Sequence, residues 1–534
     1  MFVVVRPCNV QTSSLRSRRG HSSTQRSPDA VTLARCFVCH VGTAPLNRPE
    51  DRFNVFWAPG TYLAEEMIPR LLLLMSISLL ATHCSSSSEQ AVPDAGAAGA
   101  SGTGGHADAG ATVNCDFTQT AALSTKISSV GIIDWTTSLS NVTSAHIDFG
   151  LSASYGMVAP ADLSAQPFHT LLLGMKPSKT YHYRLVAQSA AGTCLGPDAT
   201  LATGAIANGL AQIQVSTTNA SALFGGFLLS GQFVTNGGTT GAPAFILDAD
   251  GDYVWWYNTG SDVASARMSY DGSHIWLNSV NAGGTGSASV HRVTMDGLTD
   301  EDLSAQFAGQ NHQMAVLPDE TVAFNASGSN NCDDIKERRP DGTVATIINA
   351  RLAHGGTGAC HVNNVEYSKD DDTLLFSDLD NQDITKVTRS GQVVWVLNGV
   401  GNDFTGDAWK GGQHGIHVLG PTDLLIFNNN SSGAIVGGQS GGGTGDGSVA
   451  LEMTLDLTVM SAHQAWSYKA SPGIQNDVEG DLQRLSNGNT VIAYSTKGVV
   501  LEIDAHGTVL QTLTFKTSFG YIEKRATLYG PPPR

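Results

Sequence analysis

Three histidines recur at comparable places, and imidazole is one of the few side chains able to act near neutral pH as nucleophile, proton carrier or metal ligand. His312 opens "HQMAVLPDETVAF", His361 opens "HVNNVEYSKDDDTLLF" and His414 opens "HGIHVLGPTDLLIF". In each, the histidine precedes an apolar stretch, a turn of Pro, Asp or Gly, and a second apolar run. His312 lies five residues before Leu317 and His414 five before Leu419; His361 lies six before Tyr367, or takes its register from Val365. A lone histidine near a strand start is ordinarily filler, which is the reading for His274, His291, His354, His417, His463 and His506. Three at matched phase require a fold that turns them toward one point. Zinc is one use for such a trio, yet no acidic or cysteine ligand recurs with them at fixed spacing, so no metal is expected.

The elements that must position these residues form a degenerate repeat over residues 205–534. One half of the unit is a strand pair about a turn, as in "AFILDADGDYVWWY", "VHRVTMDGLTDEDL", "DIKERRPDGTVATII" and "DITKVTRSGQVVWVL". Two more, "ALEMTLDLTVMSAHQAW" and "VLEIDAHGTVLQTLTF", follow a Gly-rich insertion. Gly251, Gly297, Gly342 and Gly391 are 46, 45 and 49 residues apart, and Asp-Gly supplies the positive φ that a tight hairpin needs. The other half is "ARMSYDGSHIWL", the three histidine segments and "DLQRLSNGNTVIAY". Two hairpins per unit make four strands, one propeller blade. Six units predict a six-bladed β-propeller over 205–534, with "SALFGGFLLS" (221–230) as the strand that closes the ring. Innermost strands line a central channel, so equivalent positions in successive blades face one axis.

The chain is all-β in its expected class. Its 534 residues exceed one ordinary core, its 59 glycines and 14% charged residues suit a turn-rich β protein, and a formal net charge of -17 argues against nucleic acid as a partner. Residues 1–66 have no periodicity and read as a leader that is not native, or is disordered. Within them "CFVCH", Cys36 to His40, matches a haem-attachment pattern but precedes any plausible mature start. Residues 67–84 read as an export signal: Arg70, an apolar run Leu71 to Ala81 too short to span a bilayer, then Cys84. The signal resembles the bacterial lipoprotein type, with a lipid on Cys84 attaching the chain to a membrane. His83, where such signals prefer a small residue, leaves simple secretion as the alternative. A periplasmic or envelope location follows in either case.

Residues 85–114 are a flexible Gly/Ala/Ser linker. Residues 115–204 read as a small β domain, and "FHTLLLGMKPSKTYHYRLVAQS" resembles a late strand of fibronectin type III sandwiches, with Leu173 to Arg184 following the L-x-P-x-T-x-Y-x-Y-R line with one residue more. Such modules space or dock a partner domain. In an oxidising compartment the simplest disulfides pair Cys115 with Cys194 and Cys332 with Cys360, although sequence alone leaves the connectivity open. Two motif matches are set aside: "GQSGG" (438–442) lies in a Gly-rich loop rather than a nucleophile elbow, and "DADGD" (248–252) lacks the distal glutamate of a calcium loop.

The run from "CHVNNVEYSKDDDTLLFSDLDNQDITKVTRSGQVVWVLNG" through "GQHGIHVLGPTDLLIFNN" to "EGDLQRLSNGNTVIAYSTKGVVLEIDAHGTVL" resembles the bacterial arylsulfotransferases over about residues 220–529. The resemblance implies a six-bladed propeller that moves a sulfuryl group from a small-molecule aryl sulfate donor to a phenolic acceptor through a sulfo-histidine, with no cofactor. It places the nucleophile at His361 of H-x-N-x-V-x-Y, a substrate contact at Asn363, and the other channel histidines at His312 and His414. The family pattern also has an arginine about eighteen residues after the nucleophile; Leu379 stands there, between Asp378 and Asp380. Leucine cannot fork onto an oxyanion, and the two carboxylates would repel one. Arg267, three residues before Tyr270, is the substitute expected to reach the channel. The competing expectation is a propeller that has lost transfer activity and binds a ligand or protein at its channel mouth.

Overall fold

The computed structural model describes residues 111–233, 241–279, 289–356, 358–433 and 441–531. The leader, the export signal with Cys84, the haem-like motif and the linker up to residue 110 lie outside the described residues, as does the start of "GQSGG". No helix among the described residues is long and apolar enough to cross a membrane.

The first folded part is a two-sheet sandwich, and strict alternation builds it. Gly131–Thr137 turns Ile133 and Trp135 inward, and Ser144–Gly150 turns Ala145, Ile147 and Phe149 inward. The three-stranded sheet runs Phe117–Leu123, Gly131–Thr137, Phe168–Leu172. The other runs Met157–Pro160, Ser144–Gly150, Thr180–Ser189, Gly192–Leu195, with Ala199–Ala202 also on Thr180–Ser189. Cys115 is bonded to Cys194.

Beyond it, among the described residues, six sheets follow one another, antiparallel apart from the short parallel pairing of Thr405–Gly406 with Ser461–Tyr468, and the middle strands show a different pattern. Thr373–Asp378 and Thr490–Tyr494 are buried at every position, because each sheet is covered on both faces by its neighbours. "TLLFSD" and "TVIAY" therefore read as continuous runs rather than alternations. The arrangement is a β-propeller.

Both ends of the propeller segment close the ring. Ser518–Phe519 and Glu523–Arg525 pair with Phe227–Phe233 on the inner edge of the first sheet. Ile213–Thr217 adds to Val509–Phe515 on the outer edge of the sixth. Lys524 N–H donates to Gln483 Oε1 of the sixth sheet (2.7 Å), and Met268 N–H of the second donates to Glu523 Oε2 (3.1 Å), so the C-terminal strand sits between them. The closing strand expected at 221–230 is corrected: that strand begins at Phe227 and is the second of its own sheet. Periodicity locates strands but does not say which end of the chain supplies the missing edge.

The sandwich docks on this closure. Ile127, Val130 and Leu173 share an apolar cluster with Val254, Trp255 and Met295. Lys176 Nζ lies 3.1, 2.6 and 2.7 Å from Asp248, Asp250 and Asp252, so an ammonium occupies the acidic hairpin that resembled a calcium loop. Tyr529, just past the closing strand, accepts from Leu173 N–H (2.8 Å) and donates to Leu171 O (2.9 Å). Tyr529→Phe removes both bonds, leaving the Leu173 donor without its partner. Urea denaturation is expected to show a loss of about 1–2 kcal/mol, with sandwich and propeller still unfolding together.

Candidate functional site

The inner strands of the third, fourth and fifth sheets are Gln310–Val316, Val362–Ser368 and Gln413–Val418. Each carries a register irregularity at its start: between Gln310 and Met314, Val362 and Asn364, and Gln413 and Ile416. His312 and His414 stand within these irregularities and His361 immediately before one, where side chains are re-aimed out of the pleat. His312 adopts φ +51°, a left-handed conformation uncommon outside glycine. The result is one cluster. The His312 ring centroid is 5.0 Å from that of His361 and 6.2 Å from that of His414.

Asparagines fix two of the rings. His414 Nδ1 is 2.7 Å from Asn429 Oδ1, while the Asn429 amide donates to the carbonyls of Asn476 (2.7 Å) and Glu479 (2.9 Å). Asn429 Oδ1 is therefore an acceptor, His414 Nδ1 carries the proton, and Nε2 keeps its lone pair. His312 is held likewise: Nδ1 is 2.9 Å from Asn311 Oδ1, which also accepts from Asn325 Nδ2. His361 is positioned through its backbone instead, donating N–H to Asp378 Oδ1 (3.1 Å) and accepting from Leu379 N–H (2.8 Å).

Burial keeps all three rings uncharged. It pushes His312 well below the usual histidine range, reinforced by His361 and His414. It pushes His414 down to about 4, against the opposing bond from Asn429. It lowers His361 too, opposed by Asp378. Neutral imidazoles with free Nε2 lone pairs are nucleophiles and proton acceptors; they donate through Nε2 only after taking up a proton.

Of the two carboxylates beside Leu379, that of Asp378 is engaged by the protein itself. Asp378 is fully buried, binds His354 Nε2 at 3.1 Å, and accepts from the N–H groups of His361, Asp380 and Asn381. His354 Nδ1 lies 3.2 Å from Asp383, also fully buried. Burial alone would lower His354, but the two carboxylates override it and raise its pKa. Asp378 thus organises the start of the fourth sheet rather than facing an anion with free charge, and His354, read as filler, is its ion-pair partner. Burial and the neighbouring Asp378 push Asp380 up to about 6. Leu379 is 3% exposed. The Cys332–Cys360 bond fastens the residue preceding His361 to the third sheet.

Two expected substrate contacts are placed differently. Arg267 does lie on an inner strand, but its guanidinium donates to Ile522 O (2.8 Å) and lies 3.6 Å from Asp481. Asn363 is fully buried, donating to Gln413 O (2.8 Å) immediately before His414. It braces that strand start. Tyr521 and Glu479 were not anticipated. Tyr521 reaches from the first sheet to Asn363 O in the fourth (2.7 Å), and burial followed by Asp481 pushes Glu479 up to about 8. The nearest readable signal for the missed Asn429 was "LIFNN", in which Asn428, one residue earlier, aligns with Asn278 of "IWLN" and Asn325 of "VAFN".

Two groups of potential metal ligands occur among the described residues. One, His354, Cys360 and Asp378, has its sulfur in the disulfide, and the other surrounds the Lys176 ammonium.

A family model described as Arylsulfotransferase (ASST) matches residues 235–516. No curated protein matches the chain. Similar solved structures include TolB from Acinetobacter baumannii (12% identity, TM-score 0.39, covering 66% of this chain and 80% of that one). A catalytically inactive variant of virginiamycin B lyase from Staphylococcus aureus with quinupristin is another (12% identity, TM-score 0.34, 75% and 99%). A third is a protein of unknown function from Bacteroides caccae (17% identity, TM-score 0.37, 56% and 98%). At these scores the likenesses bear on neither site nor function.

Titration of histidine-labelled protein by NMR is expected to find His414 as the Nδ1–H tautomer with a midpoint near 4; a midpoint near 6.5 would contradict its burial. Because the folded pKa is below the unfolded one, acidification from pH 6.5 toward 4 favours the unfolded chain, which binds the proton that folded His414 refuses.

Proposed function

The chain belongs to the arylsulfotransferase family, and on that premise we propose that it is an exported enzyme moving a sulfuryl group from an aryl sulfate to a phenol through a sulfo-histidine. Family membership implies small-molecule substrates. The observation that supports the site is the convergence of His312, His361 and His414.

The hydrogen bonding favours His414, rather than the expected His361, as nucleophile. A ring that attacks through Nε2 becomes a sulfo-imidazolium, and Asn429 Oδ1 already accepts from the opposite Nδ1–H, where that charge would be stabilised. In the first step the His414 Nε2–S bond forms as the S–O(aryl) bond breaks. The leaving oxygen takes a proton from a ring that acquired one when the anion bound. In the second, an acceptor phenol gives its proton back to a neutral ring, its oxygen attacks sulfur, and the N–S bond breaks. His361, whose ring nitrogens have no hydrogen bond among the described residues, suits the proton carrier; His312 Nε2, once protonated, can donate to a sulfuryl oxygen.

Leu379 in place of the family arginine is the observation that favours a non-catalytic ligand-binding propeller instead. The fibronectin type III-like nature of the sandwich, export and a lipid on Cys84 belong to the proposal. Purified protein is expected to release nitrophenolate from 4-nitrophenyl sulfate only when phenol is added, and His414→Asn should abolish it. Mass spectrometry of protein quenched without acceptor should find the sulfuryl group on His414. No release from folded wild type supports the binder, and a label on His361 restores the role its motif implies.

A further inference from the structure

The cluster has no fixed cation: Leu379 replaces the family arginine and Arg267 is committed to Asp481 and Ile522. A guanidinium does occur on the connection that precedes one of its members. The segment leading from the third sheet to His361 carries Arg351, whose Nε donates to Gly356 O (2.6 Å) and whose Nη1 donates to Asn330 O (3.3 Å). Among the described residues no carboxylate lies within ion-pair distance of it. In a chain of net charge -17 that is an uncompensated positive site.

Arg351 lines a cavity of about 420 Å³ with Ser329, Asn330, Asn349, Leu352 and Gly356. Ser329 and Asn330 belong to the connection at the end of the third sheet where Gln310–Val316 begins, and therefore where His312 lies. The neighbouring Asn331 O accepts from Cys360 N–H (3.1 Å), and Cys360 precedes His361. The cavity thus lies on the connections that lead to the histidine site, with Asn331 and Cys360 between its lining and His361. Its polar lining can donate to an anion, while Leu352, 64% exposed, offers an apolar face.

We propose that this cavity is a subsite for a second acidic group on the substrate, so that the protein selects aryl sulfates or phenols bearing a carboxylate on an apolar arm. The inference rests on the transferase reading for its consequence, but binding itself needs no transfer. The carboxylate would take the two parallel N–H bonds left to the guanidinium fork, with the arm against Leu352 and the aromatic hydroxyl directed to the histidines.

The test compares 4-hydroxyphenylacetate with 4-hydroxyphenylacetamide, which share size and ring but differ in charge. At low ionic strength the wild type should show a KM for the carboxylate about tenfold below that for the amide, the scale of one charge-assisted bond pair. Arg351→Gln should erase that preference while leaving the KM for the amide and kcat for both unchanged. Arg351→Lys, which keeps the charge but loses the fork, should retain a weakened preference. Calorimetric titration of the same two compounds gives the answer without turnover. A carboxylate preference that depends on Arg351 in protein that transfers nothing leaves the subsite standing and removes the enzyme reading. Equal affinities in the wild type, or a preference untouched by both substitutions, overturns the subsite.

Discussion

Buried asparagines hold the beginning of an inner strand against the sheet before it, and the rest of the site depends on them. Asn278 donates to His312 O, Asn325 to Val362 O (2.7 Å), Asn363 to Gln413 O (2.8 Å) and Asn429 to Glu479 O (2.9 Å). All four are at most 1% exposed. A buried amide that loses its partner costs about 1–3 kcal/mol, so no inner strand can slide without leaving polar groups unsatisfied. These bonds act at the strand irregularities, where the ladder is weakest and the histidines stand. Ring closure completes the constraint, because the C-terminal strand and Tyr521 tie the first sheet to the second, fourth and sixth.

That rigidity has an electrostatic consequence. Three imidazoles packed this closely and out of water cannot all be charged, and each is held neutral. An arriving anion reverses the balance, since a proton taken up by one ring then gains a partner. In the proposed reaction the site would draw its positive charge from solution when substrate binds instead of storing it in an arginine. Behind it, His354 is held between Asp378 and Asp383, so those two carboxylates of "SDLDNQD" face a buried imidazole.

The repeat and the phase of the histidines were legible because hairpin spacing and turn glycines are local signals. His312 and His414 share an offset from their hairpins, and the fold brings the rings of His361 and His414 against that of His312. What surrounds them was not legible. Whether Asp378 faces a cavity or a buried His354 depends on a segment twenty-four residues away. Arg267 lies on an inner strand, yet its partners, Ile522 and Asp481, come from segments more than two hundred residues on. The docking of the sandwich by Lys176 and Tyr529 is a long-range contact of the same kind. Asn429 was readable in principle from its repeated neighbours, but asparagine at a strand end is usually a turn residue, and that meaning hid the other.

The central claim is that ring geometry gathers three neutral imidazoles around one tetrahedral anion. A crystal structure with an aryl sulfamate, a donor analogue that does not transfer, tests it most directly. The account predicts the sulfamate sulfur among the three rings, with Nε2 of His312 and of His414 turned toward it. Sulfamate bound elsewhere, or rings that face apart around an empty centre, would contradict it.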